Sequence, residues 1–143
     1  MNYSQKIARA FEIAGYLLLI PAGFGVFAAS MLIKDAPWFT FLIYAIFLFG
    51  FVLLVGYFKH SRGRLEEKRV RALWIASAVY NGVLLLPVLG IALITVKDFL
   101  NGYASYDNWT SIGFVLAVIS GYATTIVLSI KAYQFEKNNQ KYL

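Results

Sequence analysis

Residues 37–58 read PWFTFLIYAIFLFGFVLLVGYF, without a single Asp, Glu, Lys or Arg. At about 1.5 Å of rise per residue, such a helix extends ~33 Å, against a hydrocarbon core of about 30 Å. Backbone groups inside lipid meet no water, so a crossing segment must satisfy its own hydrogen bonds, and a helix does so. This stretch is a membrane span, and the rest of the chain is read outward from it.

Three further apolar runs have the same character. Residues 11–33 form one, interrupted only by Glu12 near its start, and residues 72–96 and 109–130 form the others. A membrane β-barrel would show segments of about ten residues with alternating polarity, which this chain lacks. Of its 143 residues, 60% are hydrophobic and 14% charged, whereas soluble domains average about 25% charged. The expected fold is therefore an all-α, polytopic membrane protein, with four transmembrane helices in an up-down-up-down bundle. It is expected as a single four-helix domain over residues 1–143, with a cytoplasmic loop at 59–71 and an outer loop at 97–108. This composition excludes a soluble enzyme, a disordered tail and a nucleic-acid-binding domain.

Charge sets the expected orientation. Lys6 and Arg9 precede the first span. Lys59, Arg62, Arg64, Lys68, Arg69 and Arg71 lie between the second and third, and Lys131, Lys137 and Lys141 follow the fourth. The other two loops hold only Lys34 and Lys97, each beside an aspartate. The positive-inside rule then places both termini and the middle loop in the cytoplasm. Trp38, Tyr103, Tyr106 and Trp109 fall at the outer interface, where amphipathic rings prefer to lie. The simple basic asymmetry and the lack of cysteine fit the inner membrane of a prokaryotic cell. The first span reads as retained, because its apolar run continues to Ile33, past the small residues that would mark a signal-peptide site.

Local signals suggest the connections. Asp35 can cap the second helix and Pro37 suits its first turn. Arg62 with Glu66, and Glu67 with Arg71, are spaced i,i+4, so 62–71 reads as helix. The tail from Gln134 reads as polar and frayed. The two halves also resemble each other: Arg9-Ala-Phe-Glu-Ile-Ala14 matches Arg71-Ala-Leu-Trp-Ile-Ala76, and each half carries a mid-span proline and a terminal Lys-Asp. Both halves start on the same side, so an internal repeat would be parallel, about an axis along the membrane normal.

Few residues could carry chemistry. With no Cys and one His, thiolate metal sites, iron–sulfur clusters and bis-histidine haem are excluded, and no cofactor or metal is expected. Glu12 is the one ionisable group within an apolar run, which makes it a functional candidate. It also stands three residues after Arg9, at ion-pair spacing. Asn81 is the deepest strongly polar side chain, suited to a pathway or to an interhelical hydrogen bond of about 0.6–2 kcal/mol. Pro21 and Pro87 each remove a helical hydrogen bond, and paired interrupted helices point to a transporter's site. Gly113, Ala117, Gly121, Thr125 and Ser129 recur every four residues, a small face that lets another helix approach; Ala78 and Gly82 form a shorter one. The basic residues Lys59, Arg62, Arg64, Lys68, Arg69 and Arg71 could hold anionic lipid headgroups.

The expected function is that of a non-enzymatic membrane component: an accessory subunit or membrane partner of another protein, for example an immunity factor. Its partners would be the lipid bilayer and another membrane protein or a second copy, with no nucleic acid. The alternative is a small oligomeric channel or transporter, with helices one and three lining the route at Pro21, Pro87, Asn81 and Glu12. A third class, an enzyme acting on lipid, would require Glu12, Arg9 and His60 to converge at one cleft.

Overall fold

The computed structural model describes residues 1–102 and 106–139, with side chains described through residue 102 and from residue 109. It is all-helical: α1 is Tyr3–Met31, α2 Pro37–Ser61, α3 Glu67–Leu100 and α4 Tyr106–Asn139. No strand occurs among the described residues. Each helix is long and apolar enough to cross a membrane, as a four-helix membrane bundle requires. Most large apolar side chains within the spans are exposed, Leu17, Phe24, Phe41, Leu86 and Phe114 among them, which is the arrangement a lipid solvent favours.

Two compact units make up the chain: Met1–Leu73 with Ala132–Leu143, and Trp74–Lys131. In the first, α1 and α2 pack as a helical hairpin. The turn between them, after Met31, is closed by Asp35 and Ala36 N–H groups donating to the Leu32 carbonyl at 3.1 and 2.8 Å. Pro37 opens α2 as its first residue, as expected. The cap position is held by Ala36, with no side-chain hydrogen bond. Asp35 therefore does not cap the helix, because the turn places it one residue too early.

Polar bonds fasten the hairpin near this turn. The buried Thr40 Oγ1 donates to the Ala29 carbonyl at 2.8 Å, and the Ser30 and Tyr44 hydroxyls meet at 2.5 Å. Further along, a Cβ on Gly15 would lie 2.6 Å from Leu54 Cδ1, and one on Gly56 2.6 Å from Leu73 Cδ1. These two glycines let the helix backbones accept a leucine at close range. Phe11 meets Tyr57 edge-on at 5.3 Å between centroids.

In the second unit, the buried Ser77 and Ser129 hydroxyls join α3 to α4 at 2.8 Å. Near the other ends of these helices, Phe99 stacks edge-on against Trp109 at 5.0 Å.

Helix boundaries differ from expectation at several points, among them the start of α4 at Tyr106, inside the expected 97–108 loop. Residues 62–66 form a turn, and α3 starts at Glu67 rather than at Arg62. Helix α3 runs on to Leu100, so Lys97–Leu100 are helical, and Gly102 (φ +84°) follows in the left-handed conformation that ends many helices. Residues 103–105 of the expected outer loop lie outside the described residues, as do the side chains of Tyr103 and Tyr106. Helix α4 continues through Gln134 to Asn139, because a residue in that tail is tied to α1, as described next.

Candidate functional site

Apart from Thr40, the buried polar groups of the first unit gather where α1 begins and α2 ends. Helix α1 opens with a capping box. Asn2 Oδ1 accepts the Gln5 N–H at 2.8 Å, and Gln5 Oε1 accepts the Asn2 N–H at 2.9 Å. The reciprocal pair satisfies two backbone donors and fixes the first turn. Ser4, Ala8 and Glu12 then follow at four-residue spacing on one helix face, and all three are fully buried.

Helix α2 closes with a Schellman turn. The Gly63 N–H donates to the His60 carbonyl at 3.0 Å and the Arg64 N–H to the Lys59 carbonyl at 2.9 Å, with Gly63 at φ +66°. A side chain at position 63 would strain that conformation. The turn leaves Arg62 as the C-cap residue, from which its guanidinium folds back over α2. There it donates to the Phe58 carbonyl at 3.1 Å and lies 3.6 Å from the centre of the Phe58 ring.

These two ends meet at the Glu12 carboxylate. Arg9 Nη1 donates to Oε1 at 2.9 Å, Ser61 Oγ donates to Oε2 at 2.9 Å, and Arg62 Nη1 reaches both oxygens at 3.2 and 3.3 Å. The carboxylate has no exposed surface, whereas the Arg9 and Arg62 side chains are 47% and 35% exposed. An isolated buried carboxylate would be costly. Two guanidinium partners and a hydroxyl offset that cost, so the charge serves as a fastening between α1 and α2.

A second cluster lies beside the first. Ser4 Oγ is 2.8 Å from His60 Nε2 and 3.2 Å from Asn2 Oδ1, and it donates to the Glu136 carboxylate. Glu136 Oε1 is also 3.8 Å from His60 Nε2. Tyr3 and Phe135 stack at 5.6 Å alongside. This network holds the end of α4 against the start of α1, which is why the helix persists to Asn139.

The arrangement of Ser, His and Glu invites comparison with a nucleophilic triad, and the geometry argues against one. In a triad the acid orients the imidazole from Nδ1 while Nε2 faces the serine. Here both Ser4 and Glu136 meet the ring at Nε2. Ser4 Oγ is wholly buried and spends its single proton on an acceptor. Arg9 and Glu12 meet directly, and the His60 ring contacts Ser4 and Glu136. No group of three or more metal-ligating side chains occurs among the described residues.

The remaining sequence candidates fall elsewhere. Asn81 is half-buried and donates from Nδ2 to the Ser77 carbonyl one turn back, at 2.8 Å. Pro21 and Pro87 are exposed and lie within unbroken helices, so neither α1 nor α3 unwinds at its proline. On α4, Gly113, Ala117 and Gly121 are exposed and Thr125 is half-buried; Ala78 and Gly82 on α3 are half-buried. A Cβ placed on Gly82, Gly113 or Gly121 meets no described atom within 4 Å. The stripe is thus open at Gly113, Ala117 and Gly121 and closes on α3 at Ser129, which is buried against Ser77; the close glycine approaches occur at Gly15 and Gly56, which carry no such periodic signal. Of the basic loop, Lys59, Arg62, Arg64, Lys68 and Arg69 are exposed and Arg71 is half-buried. Arg69 pairs with Glu66 at 3.3 Å, while Arg62, expected to pair with Glu66, goes to Glu12 because the Schellman turn faces it the other way.

No protein-family model, curated protein or solved structure matches the chain.

Proposed function

We propose that the protein is a non-catalytic component of a cell's inner membrane, with both termini cytoplasmic, that acts by binding another membrane protein. The observation that carries this reading is the open small-residue face of α4. Gly113, Ala117 and Gly121 are exposed, and nothing in the described chain lies within 4 Å of where a Gly113 or Gly121 side chain would begin. Small residues favour close helix–helix approach in lipid, where packing rather than hydrophobicity drives association. The strongest polar groups point the same way, since Glu12, Ser61, Ser4, His60 and Glu136 are committed to internal bonds. The parallel duplication belongs to this reading too: Glu12 and Trp74 occupy matching places after Arg9 and Arg71, and both are fully buried.

The open face makes a clean experiment. A Cβ at Gly113 or Gly121 meets no described atom of another helix within 4 Å, so each leucine variant should fold and insert as the parent does. Co-purification with the partner from native membranes should be lost in Gly121→Leu and Gly113→Leu. Retention of the same partner at parental stoichiometry in both variants would defeat the proposal.

A further inference from the structure

The Glu12 clasp leaves a charge imbalance with a defined geometry. One buried carboxylate is shared by two guanidinium groups, so the cluster carries one positive charge in excess. Two other acids of this unit have partners of their own, Glu66 with Arg69 and Glu136 with Ser4. Each arginine reaches Glu12 through Nη1 alone. The Nε and Nη2 donors of both side chains make no hydrogen bond within the described chain, and both side chains are partly exposed. Arg62 is further fixed by the Phe58 carbonyl and ring. Two arginines are thus held in place by one buried anchor, each with a free edge of the kind that grips a phosphate through paired N–H donors.

Depth along the helices supplies the source of the phosphate. Glu12 stands one residue into the apolar run that begins at Phe11, and Arg62 follows the run that ends at Phe58. Both guanidinium groups therefore lie at the level where the hydrocarbon core gives way to headgroups. We propose that Arg9 and Arg62, positioned by Glu12, form a binding site for a phosphate-bearing anion, supplied by the headgroup of an anionic phospholipid. The site differs from diffuse attraction to the basic loop, which would draw equally on Lys68, Arg69 and Arg71. It stands apart from the partner-binding reading, since it uses neither α4's small face nor a second protein.

The experiment is native mass spectrometry of the full-length protein in mixed micelles holding equal amounts of phosphatidylglycerol and phosphatidylcholine. The parent should retain phosphatidylglycerol preferentially. Arg62→Lys and Arg9→Lys keep the charge but lose the planar fork, and each should weaken retention about tenfold, the equivalent of one charge-assisted hydrogen bond. Arg69→Gln removes a whole charge from the same loop and should leave retention within about twofold of the parent, as expected for an exposed, already paired residue. Circular dichroism of each variant establishes that it is folded. Equal loss in Arg69→Gln and Arg62→Lys, or undiminished retention in both lysine variants, would overturn the site. Adding millimolar inorganic phosphate separates the sources. Persistence of bound phosphatidylglycerol supports the lipid headgroup, whereas displacement would overturn that assignment in favour of a soluble phosphate ligand.

Discussion

Replacing Glu12 and Arg62 singly and together by glutamine measures how far burial strengthens an ion pair in this fold. At the 3.2 Å separation of Arg62 Nη1 and Glu12 Oε1, two unit charges attract by about 1 kcal/mol at the dielectric of water and about 5 kcal/mol at an effective value of 20. Glu12 is fully buried, which favours the larger figure. Arg62 is about one-third exposed, and Arg9 retains its own share of the carboxylate, which favours the smaller. A coupling energy of ~2 kcal/mol follows, roughly a thirtyfold change in the unfolding equilibrium. The matching cycle on Glu66 and Arg69, whose side chains are 75% and 70% exposed at 3.3 Å, should give no more than ~0.5 kcal/mol. The assay is reversible unfolding in mixed micelles with increasing dodecyl sulfate, followed by tryptophan fluorescence. Equal, small couplings in both cycles would refute the argument that a buried carboxylate fastens α1 to α2.

Four other substitutions probe the same packing. Gly15→Ala and Gly56→Ala should each destabilise by about 1–2 kcal/mol, since the new Cβ crowds Leu54 or Leu73, while Gly113→Ala should be neutral or slightly stabilising; the same unfolding assay compares them. Ser4→Ala leaves His60 and Glu136 without their shared hydroxyl and should cost about 1–3 kcal/mol. It should also raise the proteolytic sensitivity of α4 near Glu136, read by limited digestion in micelles. Because the chain has no cysteine, single replacements report topology directly. Arg64→Cys should react with an impermeant maleimide only after the cytoplasmic side is opened, and Asp35→Cys should react in intact cells.

The four spans were legible because membrane insertion depends on long uninterrupted hydropathy, a property each run carries on its own. The pair Arg9–Glu12 was legible for the same reason, since both partners lie on one helical turn. Ser61 and Arg62 were not, because they approach Glu12 across 49 and 50 residues of sequence. A local clue did exist: glycine after a basic helix end is the mark of a left-handed cap, and Gly63 directs Arg62 away from Glu66. The Ser4–His60–Glu136 network had no local mark at all, and a tail of polar residues gave no reason to continue α4 to Asn139. The glycine spacing on α4 was legible, but what packs against it was not. Periodic small residues on α4 identify a surface that permits close approach, whereas Gly15 and Gly56 show where close approach takes place, and only the facing leucines distinguish the two.

The most direct measurement is native mass spectrometry of the intact protein, gently extracted from the membranes of its own host. A second, different membrane protein bound at fixed stoichiometry, and lost from Gly121→Leu, is the predicted result. A chain recovered alone or only with copies of itself, and passing solute across liposomes after reconstitution, would contradict the account and assign the protein to transport.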